Sequence, residues 1–261
     1  MSVALALTLT SLGLGGAIVA GTLGVGGAIV MVPLLLYVPP LLGLPPLEVK
    51  AVAGITMVQV LVAAASAVVA HHRFGAVHRE LAWVGGSTMA IGSFAGAVAS
   101  RYVDDRVVLL VFALMATSAL VVLAVRVDAG ARAGEASAVP LARGRAVLVC
   151  LTVGALAGLV GAGGAFLLVP LLITMVGVPI RVTIGTSLAI TAISAVTGFG
   201  GKLLTGQIPW GPALCVALGA VPGAQLGALA SRRLSGEWLR RALFVVVLLT
   251  ATRVWWDLLH H

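Results

Sequence analysis

The chain has 261 residues, of which 61% are hydrophobic and 9% are charged, and it carries a net charge of +8. A soluble domain has about 25% charged and about 45–50% apolar residues, so too few charges are present here to cover a water-facing surface. This composition excludes a soluble enzyme, a disordered chain and, despite an isoelectric point near 11.0, a nucleic-acid-binding protein. It predicts an all-α protein that crosses a lipid bilayer several times.

The first apolar stretch, residues 3–38, is too long for one membrane span, which takes about 20 residues, and too short for two spans with a loop. Glycines between positions 21 and 27 interrupt this stretch, and Pro33 is expected to stop it. The pattern predicts a full helix, a glycine break and a shorter helix. Such a break is tolerated at membrane depth only where protein or a watery cavity surrounds it.

Three conventional spans are predicted next, at residues 51–70, 81–100 and 107–125. Residues 126–145 are hydrophilic and rich in Ala, Gly and Arg, which is typical of a linker. This linker separates a first transmembrane repeat, residues 1–125, from a second transmembrane repeat, residues 146–261.

The second half of the sequence repeats the first. Residues 158–165 match residues 21–28 at an offset of 137, and further along the offset settles at 131, where residues 96–101 fall on residues 227–232. A register held through a series of helices, together with a duplicated glycine element, is not expected by chance. We therefore predict two homologous halves. Each holds a glycine-broken helix or hairpin and three conventional spans, about eight transmembrane helices in all if the broken segments are counted loosely.

The basic residues indicate the topology. If each half crosses the membrane an odd number of times, 11 of the 16 basic residues fall on one side, whereas four crossings per half divide them 8 against 8. Because basic loops are retained in the cytoplasm, the asymmetry favours inverted repeats, with residues 126–145 cytoplasmic and both termini outside. Inverted repeats with paired broken helices are typical of secondary transporters, here of the cell (inner) membrane, with a binding site near the midplane.

The two glycine breaks also carry a resemblance to a known family. Gly24-Val25-Gly26-Gly27 running to Pro33, and Gly161-Ala162-Gly163-Gly164 running to Pro170, resemble the duplicated signature of the TauE/SafE permeases. The resemblance covers nearly the whole chain and implies an exporter of small sulfur-containing anions such as sulfite, sulfoacetate and other organosulfonates. The family's Thr-Ser pair is present as Thr186-Ser187, whereas the first half reads Ile55-Thr56, so the two halves offer different hydroxyl groups.

An anion at membrane depth needs hydrogen-bond donors or positive potential, because burying an unpaired charge is very costly. Helix N-termini supply both, and the two breaks are expected to aim such N-termini at one central point. The alternatives are close packing for the glycines and a backbone or interhelical hydrogen bond for each polar side chain. The predicted substrate-binding residues are Gly24, Gly26, Gly27, Thr56, Gln59, Gly161, Gly163, Gly164, Thr186, Ser187 and Gln225.

Three basic residues near helix ends, Lys50, Arg181 and Lys202, are predicted to attract the anion into vestibules on the membrane faces. A solvated loop charge is the alternative interpretation for these residues. The loop histidines His71, His72 and His78 are interpreted as solvated side chains rather than as a metal site.

All 8 acidic residues are predicted to lie in loops or at span edges, so no carboxylate is expected at membrane depth to relay protons. The sequence has no catalytic motif and no metal-ligand spacing, and it therefore predicts a protein that is not an enzyme and has no cofactor. Two functions stay open: an alternating-access carrier of sulfur anions, and an anion channel or a permease for another small anion. Besides the lipid bilayer, a second copy of the chain is a candidate partner. The helix faces that would allow such a homodimer carry Gly92, Gly96, Gly223 and Gly227.

Overall fold

A computed structural model describes residues 1–23, 27–71, 78–124, 143–178, 180–231 and 236–260. Over these residues the chain forms ten α-helices and no β-strand, so the predicted all-α fold is confirmed. The helices are α1 (Val3–Leu23), α2 (Ala28–Leu41), α3 (Val49–His71), α4 (Arg79–Ala99), α5 (Asp105–Ala124), α6 (Arg143–Val160), α7 (Ala165–Leu171), α8 (Ile180–Leu204), α9 (Trp210–Ser231) and α10 (Gly236–His260). A π-helical turn, Leu172–Val176, follows α7.

Several helices have the length and apolar surface of membrane spans. Among the described residues, four segments are long and apolar enough to cross a bilayer: Val3–Thr22, Arg79–Ala99, Arg143–Val160 and Gly185–Leu204. Large apolar side chains also point away from the protein, including Trp83 and Leu218, which are 73% and 70% exposed. A surface of this kind is stable in contact with lipid rather than with water, as expected for a multi-pass membrane protein.

The first glycine break lies where it was predicted, but the predicted end of the following helix is wrong. The helix α2 begins after Gly27 and continues through Pro33 as far as Leu41. Proline has no N–H to donate to the carbonyl four residues earlier, which is that of Ile29. The hydroxyl of Thr250 on α10 donates to this carbonyl instead, at 3.3 Å, so the helix tolerates its proline because a neighbouring helix satisfies the freed acceptor.

The second break separates α6 from α7. Gly161, Gly163 and Gly164 all have φ between +62° and +76°, a conformation that favours glycine. The last three residues of the predicted linker, 143–145, belong instead to the second half of the protein, because they form the first turn of α6. Residues 126–142 of the linker lie outside the described residues.

The helices of the two halves begin in register. The starts of α2 and α7 differ by 137 residues, and those of α3 and α8, α4 and α9, and α5 and α10 each differ by 131 residues. Equivalent helices also pack in equivalent ways: α4 packs against α6, and its counterpart α9 packs against α1, the counterpart of α6. The first helix of each half therefore packs mainly against the fourth helix of the other half.

Glycines allow α4 and α6 to approach closely. A Cβ atom on Gly92 would collide with the carbonyl oxygen of Leu151, and one on Gly96 would collide with that of Ala155. The contacts advance by four residues on both helices, so α4 and α6 run in the same direction. Close crossings between glycine faces of this spacing are typical of membrane helices.

The equivalent glycines serve the α1–α9 crossing. A Cβ atom on Gly223 would collide with the carbonyl oxygen of Leu14, and one on Gly227 would collide with that of Ile18, so these helices also run in the same direction. The faces predicted to support a homodimer are thus occupied within the chain, and that expectation loses its basis.

We expect the substitution Gly96→Val to destabilise the protein, because the new side chain would overlap the backbone of α6 at Ala155. Overpacking typically costs about 1–3 kcal/mol, so the melting temperature of the detergent-solubilised protein should fall by several degrees. Gly15→Ala is the control, since nothing lies within 4 Å of the position of its Cβ atom. Equal melting temperatures for Gly96→Val and wild type would contradict the close α4–α6 crossing.

Candidate functional site

The first glycine break lies directly against the side chain of Gln59. Gly27 is buried, has φ +80°, and a Cβ atom added to it would lie 2.8 Å from Nε2 of Gln59 and 3.0 Å from Cβ of Ala20. Only glycine therefore fits between α1, α2 and α3 at this point. The absence of a side chain at Gly27 brings the start of α2 next to the amide of Gln59.

The second break contacts the same segment of α3. A Cβ atom on Gly161 would collide with the carbonyl of Ala53, and one on Gly163 would collide with the side chain of Val60. Both breaks therefore meet α3 between residues 53 and 60. That the breaks aim their helix N-termini at one central point stays a prediction: the N-cap residue of α2 lies against α3, whereas that of α7 lies against α4 and α6.

The amide of Gln59 is the principal polar group of this region. The side chain is fully buried, and neither its Nε2 nor its Oε1 atom has a hydrogen-bond partner among the described residues. Leaving such a group without a partner costs about 1–3 kcal/mol, and buried polar groups in native proteins are nearly always satisfied. A ligand or an ordered water molecule would satisfy the amide.

The N-terminus of α2 supplies further donors beside Gln59. Gly27 is the N-cap of this 14-residue helix and has no side chain with which to cap it, and the N–H of Val30 donates to the carbonyl of Gly27 at 3.1 Å. The first N–H groups of a helix have no acceptor within the helix, and together they carry a partial positive charge. The start of α2 and the amide of Gln59 thus form a region with neutral donors and positive potential.

Three buried hydroxyl groups lie on the neighbouring helices without a partner in the described part of the chain. They belong to Ser93 on α4 and to Thr191 and Ser194 on α8. A Cβ atom on Gly198 of α8 would meet both the hydroxyl of Ser93 and the side chain of Met57 on α3, so α3, α4 and α8 converge here. None of these three residues is in the predicted set, although the spacing of hydroxyl residues along α8 is a signal that could have indicated Thr191 and Ser194.

The predicted hydroxyl residues Thr56, Thr186 and Ser187 are all buried. Thr56 donates back to the carbonyl groups of Val52 and Ala53, at 2.9 and 3.2 Å, so its proton is used within α3. The Oγ1 atom of Thr186 accepts a hydrogen bond from the N–H of His78, at 3.0 Å. Thr186 therefore ties the start of α4 to α8.

The other predicted residues occupy different surroundings. Gly164 is the N-cap of α7 and lies against Met89 and Ala157 rather than α3. Gln225 is exposed on α9. Gly24 and Gly26 lie outside the described residues.

One of the three loop histidines caps a helix. The ring of His78 caps α4 by accepting a hydrogen bond from the N–H of Leu81, at 3.1 Å. His71 is the last residue of α3, and His72 lies outside the described residues.

The basic residues predicted to line vestibules also differ from one another. Lys50 is partly exposed and donates to the carbonyl of Arg101 at 3.4 Å, and Arg181 is the second residue of α8. Lys202 does not lie in an open vestibule, since its side chain is fully buried. Its ammonium group donates to Ser100, Gln207 and Leu159.

Comparisons with known proteins agree with this architecture. The family model described as Sulfite exporter TauE/SafE matches residues 9–254. A probable membrane transporter protein of Xylella fastidiosa (strain Temecula1) is 33% identical over 260 aligned residues, which cover 95% of each chain. The probable membrane transporter protein YunE of Bacillus subtilis is 31% identical over 103 residues, which cover 40% of this chain but only 38% of YunE. No solved structure matches the chain.

We expect Gln59→Leu to weaken anion binding strongly while leaving the folded protein intact. The substitution removes donors next to the start of α2, and it also removes a buried amide that lacks a partner, so stability without ligand should not fall. Binding and melting temperature of the purified protein measure the two effects separately.

Thr88→Val is the matched control, because its hydroxyl donates back to the carbonyl of Val84 within α4. This variant should bind anions like the wild type. Normal anion affinity in Gln59→Leu would remove Gln59 from the site.

Proposed function

Since the chain belongs to the sulfite exporter TauE/SafE family, we propose that this membrane transporter exports small sulfur-containing anions such as sulfite, sulfoacetate or other organosulfonates. The name of the matching family and the names of both relatives indicate a transporter rather than an enzyme. The proposed binding site is the region where the two glycine breaks meet α3.

The observation that carries this proposal is the buried amide of Gln59, without a partner among the described residues, beside the start of α2. Neutral donors and a helix N-terminus stabilise an oxyanion without the desolvation penalty of burying an additional charge. Neither Gln59 nor the unpartnered hydroxyl residues on α4 and α8 carry a charge. A fixed negative charge in this region would repel the substrate.

The proposed mechanism is alternating access between two inverted repeats. Its first support is the direction of the helices: α4 and α8 run in parallel, because Gly85 meets Ile190 and the carbonyl of Ala90 accepts a hydrogen bond from Thr197. From the first contact to the second, the residue number rises on both helices, as it does only when two helices are parallel. The helices α4, α6 and α8 therefore share one direction.

The connection between α8 and α9 completes this argument. Residues 205–209 are the whole connection between the two helices, so a chain that crosses along α8 returns along α9. Because α1 is parallel to α9, α1 is antiparallel to its counterpart α6. Opposite directions of equivalent helices support inverted repeats, in which the two halves exchange conformations to open the site to either side.

In this proposal the membrane potential is in principle sufficient to drive export. A potential that is negative inside favours the exit of an anion by about 2.3 kcal/mol per charge per 100 mV. We place the linker, residues 126–145, in the cytoplasm and both chain termini outside, on the distribution of basic residues. In this orientation the break between α1 and α2 and the break between α6 and α7 enter from opposite faces.

We expect sulfite or sulfoacetate to raise the melting temperature of the purified protein in a dose-dependent manner, because a ligand that binds only the native state stabilises it by RT ln(1 + [L]/Kd). Sulfate and acetate are the comparison anions. Selective stabilisation by sulfite or a sulfonate supports the proposed substrate class. A response to acetate but not to the sulfur anions would contradict it.

A carrier is distinguished from an anion channel by counterflow. In proteoliposomes preloaded with unlabelled sulfite, uptake of labelled sulfite should be stimulated several-fold over empty vesicles, since a carrier returns faster when it is loaded. Vesicles that contain Gln59→Leu should show little uptake under either condition. Equal uptake with and without preloading would instead favour the channel.

A further inference from the structure

The helix α8 carries a buried polar face along most of its length. The side chains on this face recur at intervals of three or four residues, which places them on one side of a helix. From the first to the last there are 20 residues, and the 19 steps between them cover about 28 Å at 1.5 Å per residue, close to the thickness of the hydrocarbon core of a bilayer at about 30 Å. This polar face consists of Thr183, Ser187, Thr191, Ser194, Gly198 and Lys202, all of them buried.

The equivalent face of α3 is much less polar. At the offset of 131 residues, its positions are Val52, Thr56, Val60, Ala63, Ala67 and His71. The two halves have equivalent helices, but they differ in the number of polar side chains on this helix face. One helix of the symmetry-related pair therefore carries hydroxyl groups along most of its length, those of Thr191 and Ser194 without a partner among the described residues, and Lys202 ends that series.

Three neutral acceptors hold the ammonium group of Lys202. They are the hydroxyl of Ser100 at 2.7 Å, the side-chain carbonyl of Gln207 at 3.0 Å and the backbone carbonyl of Leu159 at 3.2 Å. An ammonium group has three N–H donors, so its hydrogen bonds are complete. Its charge is not balanced, since no carboxylate forms an ion pair with it among the described residues.

A buried charge without a counter-ion is costly. The described ion pairs lie elsewhere: Arg143 pairs with Glu80, and Arg253 pairs with Asp257, and in each pair the basic side chain is more than half exposed. Lys202 is the opposite case, because it is fully buried and has only neutral partners. A mobile anion is the counter-ion that such a site would accept.

We propose that Lys202 is the counter-charge of the transported anion and forms a second binding position at the end of the α8 polar face. The proposal rests on the proposed function, since it needs an anionic substrate. Gln207 is the acceptor that the anion replaces, because it lies in the short connection between α8 and α9 and is partly exposed. Ser100 is the fully buried C-cap of α4, and the acceptor of Leu159 is a backbone carbonyl within α6, so neither is as free to move away as the side chain of Gln207.

The test compares Lys202→Gln and Lys202→Arg with the wild type in the purified protein. Melting temperature is measured without anion and during titration with sulfite, sulfoacetate and acetate. Arg106→Gln is the control, since it removes the same charge from an exposed position at the start of α5. This control should leave both melting temperature and anion response unchanged.

We expect Lys202→Gln to keep or raise the melting temperature without anion, because an unbalanced buried charge is removed. The anion concentration for half-maximal stabilisation should rise at least about tenfold, as expected when one partner of a buried charge pair is lost. Lys202→Arg, which retains the charge, should respond to anion within a few-fold of the wild type.

Two results would overturn the proposal. The first is a lower melting temperature of Lys202→Gln without anion combined with a normal anion response, which would make Lys202 a structural link between helix ends. The second is an equal loss of anion response in Lys202→Gln and Lys202→Arg, which would mean that packing rather than charge matters.

The outcome for the sulfur assignment is separate. If only acetate raises the melting temperature of the wild type and Lys202→Gln loses that stabilisation, the role of Lys202 as a counter-charge is supported and the sulfur anions are excluded as substrates. If the sulfur anions stabilise the wild type and Lys202→Gln equally, the proposed function stands and the role of Lys202 fails.

Discussion

Inside a bilayer no water is available to satisfy polar groups, so each N–H, C=O and polar side chain must find its partner within the protein or in a ligand. The carbonyl of Ile29, freed by Pro33, receives a hydrogen bond from Thr250 on another helix. The ammonium group of Lys202 donates hydrogen bonds to three neutral acceptors. Among the described residues, Gln59 has no hydrogen-bond partner, and neither do the hydroxyl groups of Tyr37, Ser93, Thr191 and Ser194. The proposed site lies at Gln59 because its whole amide is buried beside the start of α2.

The same constraint explains why the glycines matter more for position than for chemistry. Gly27 allows the start of α2 to reach Gln59, and Gly161 and Gly163 allow the second break to lie on α3. The donors themselves are a side-chain amide and backbone N–H groups. At Gln59 a bound anion would meet only neutral groups, so that its charge is stabilised there by orientation and by helix dipoles. The charged group of the proposed pathway, Lys202, lies at the separate position at the end of α8.

Much of the architecture could be predicted because it depends on local patterns. The helices, the two glycine breaks and the repeated register follow from the spacing of apolar residues and glycines along the chain. The continuation of α2 beyond Pro33 could not be predicted, because it depends on Thr250, more than two hundred residues away. Likewise, Lys202 resembles a vestibule charge in the sequence, and only the approach of Ser100 and Leu159 makes it a buried one.

The exchange of partners between the halves has a consequence for how the protein is made. Because α1 packs against α9 and α4 against α6, the glycine faces of the first half have no permanent neighbours until the second half has been synthesised. The first half must therefore wait in the membrane with its closest-packing surfaces uncovered, and lipid or the insertion machinery must shield them meanwhile. We expect the closest helix packing to form only after α6 and α9 have been inserted.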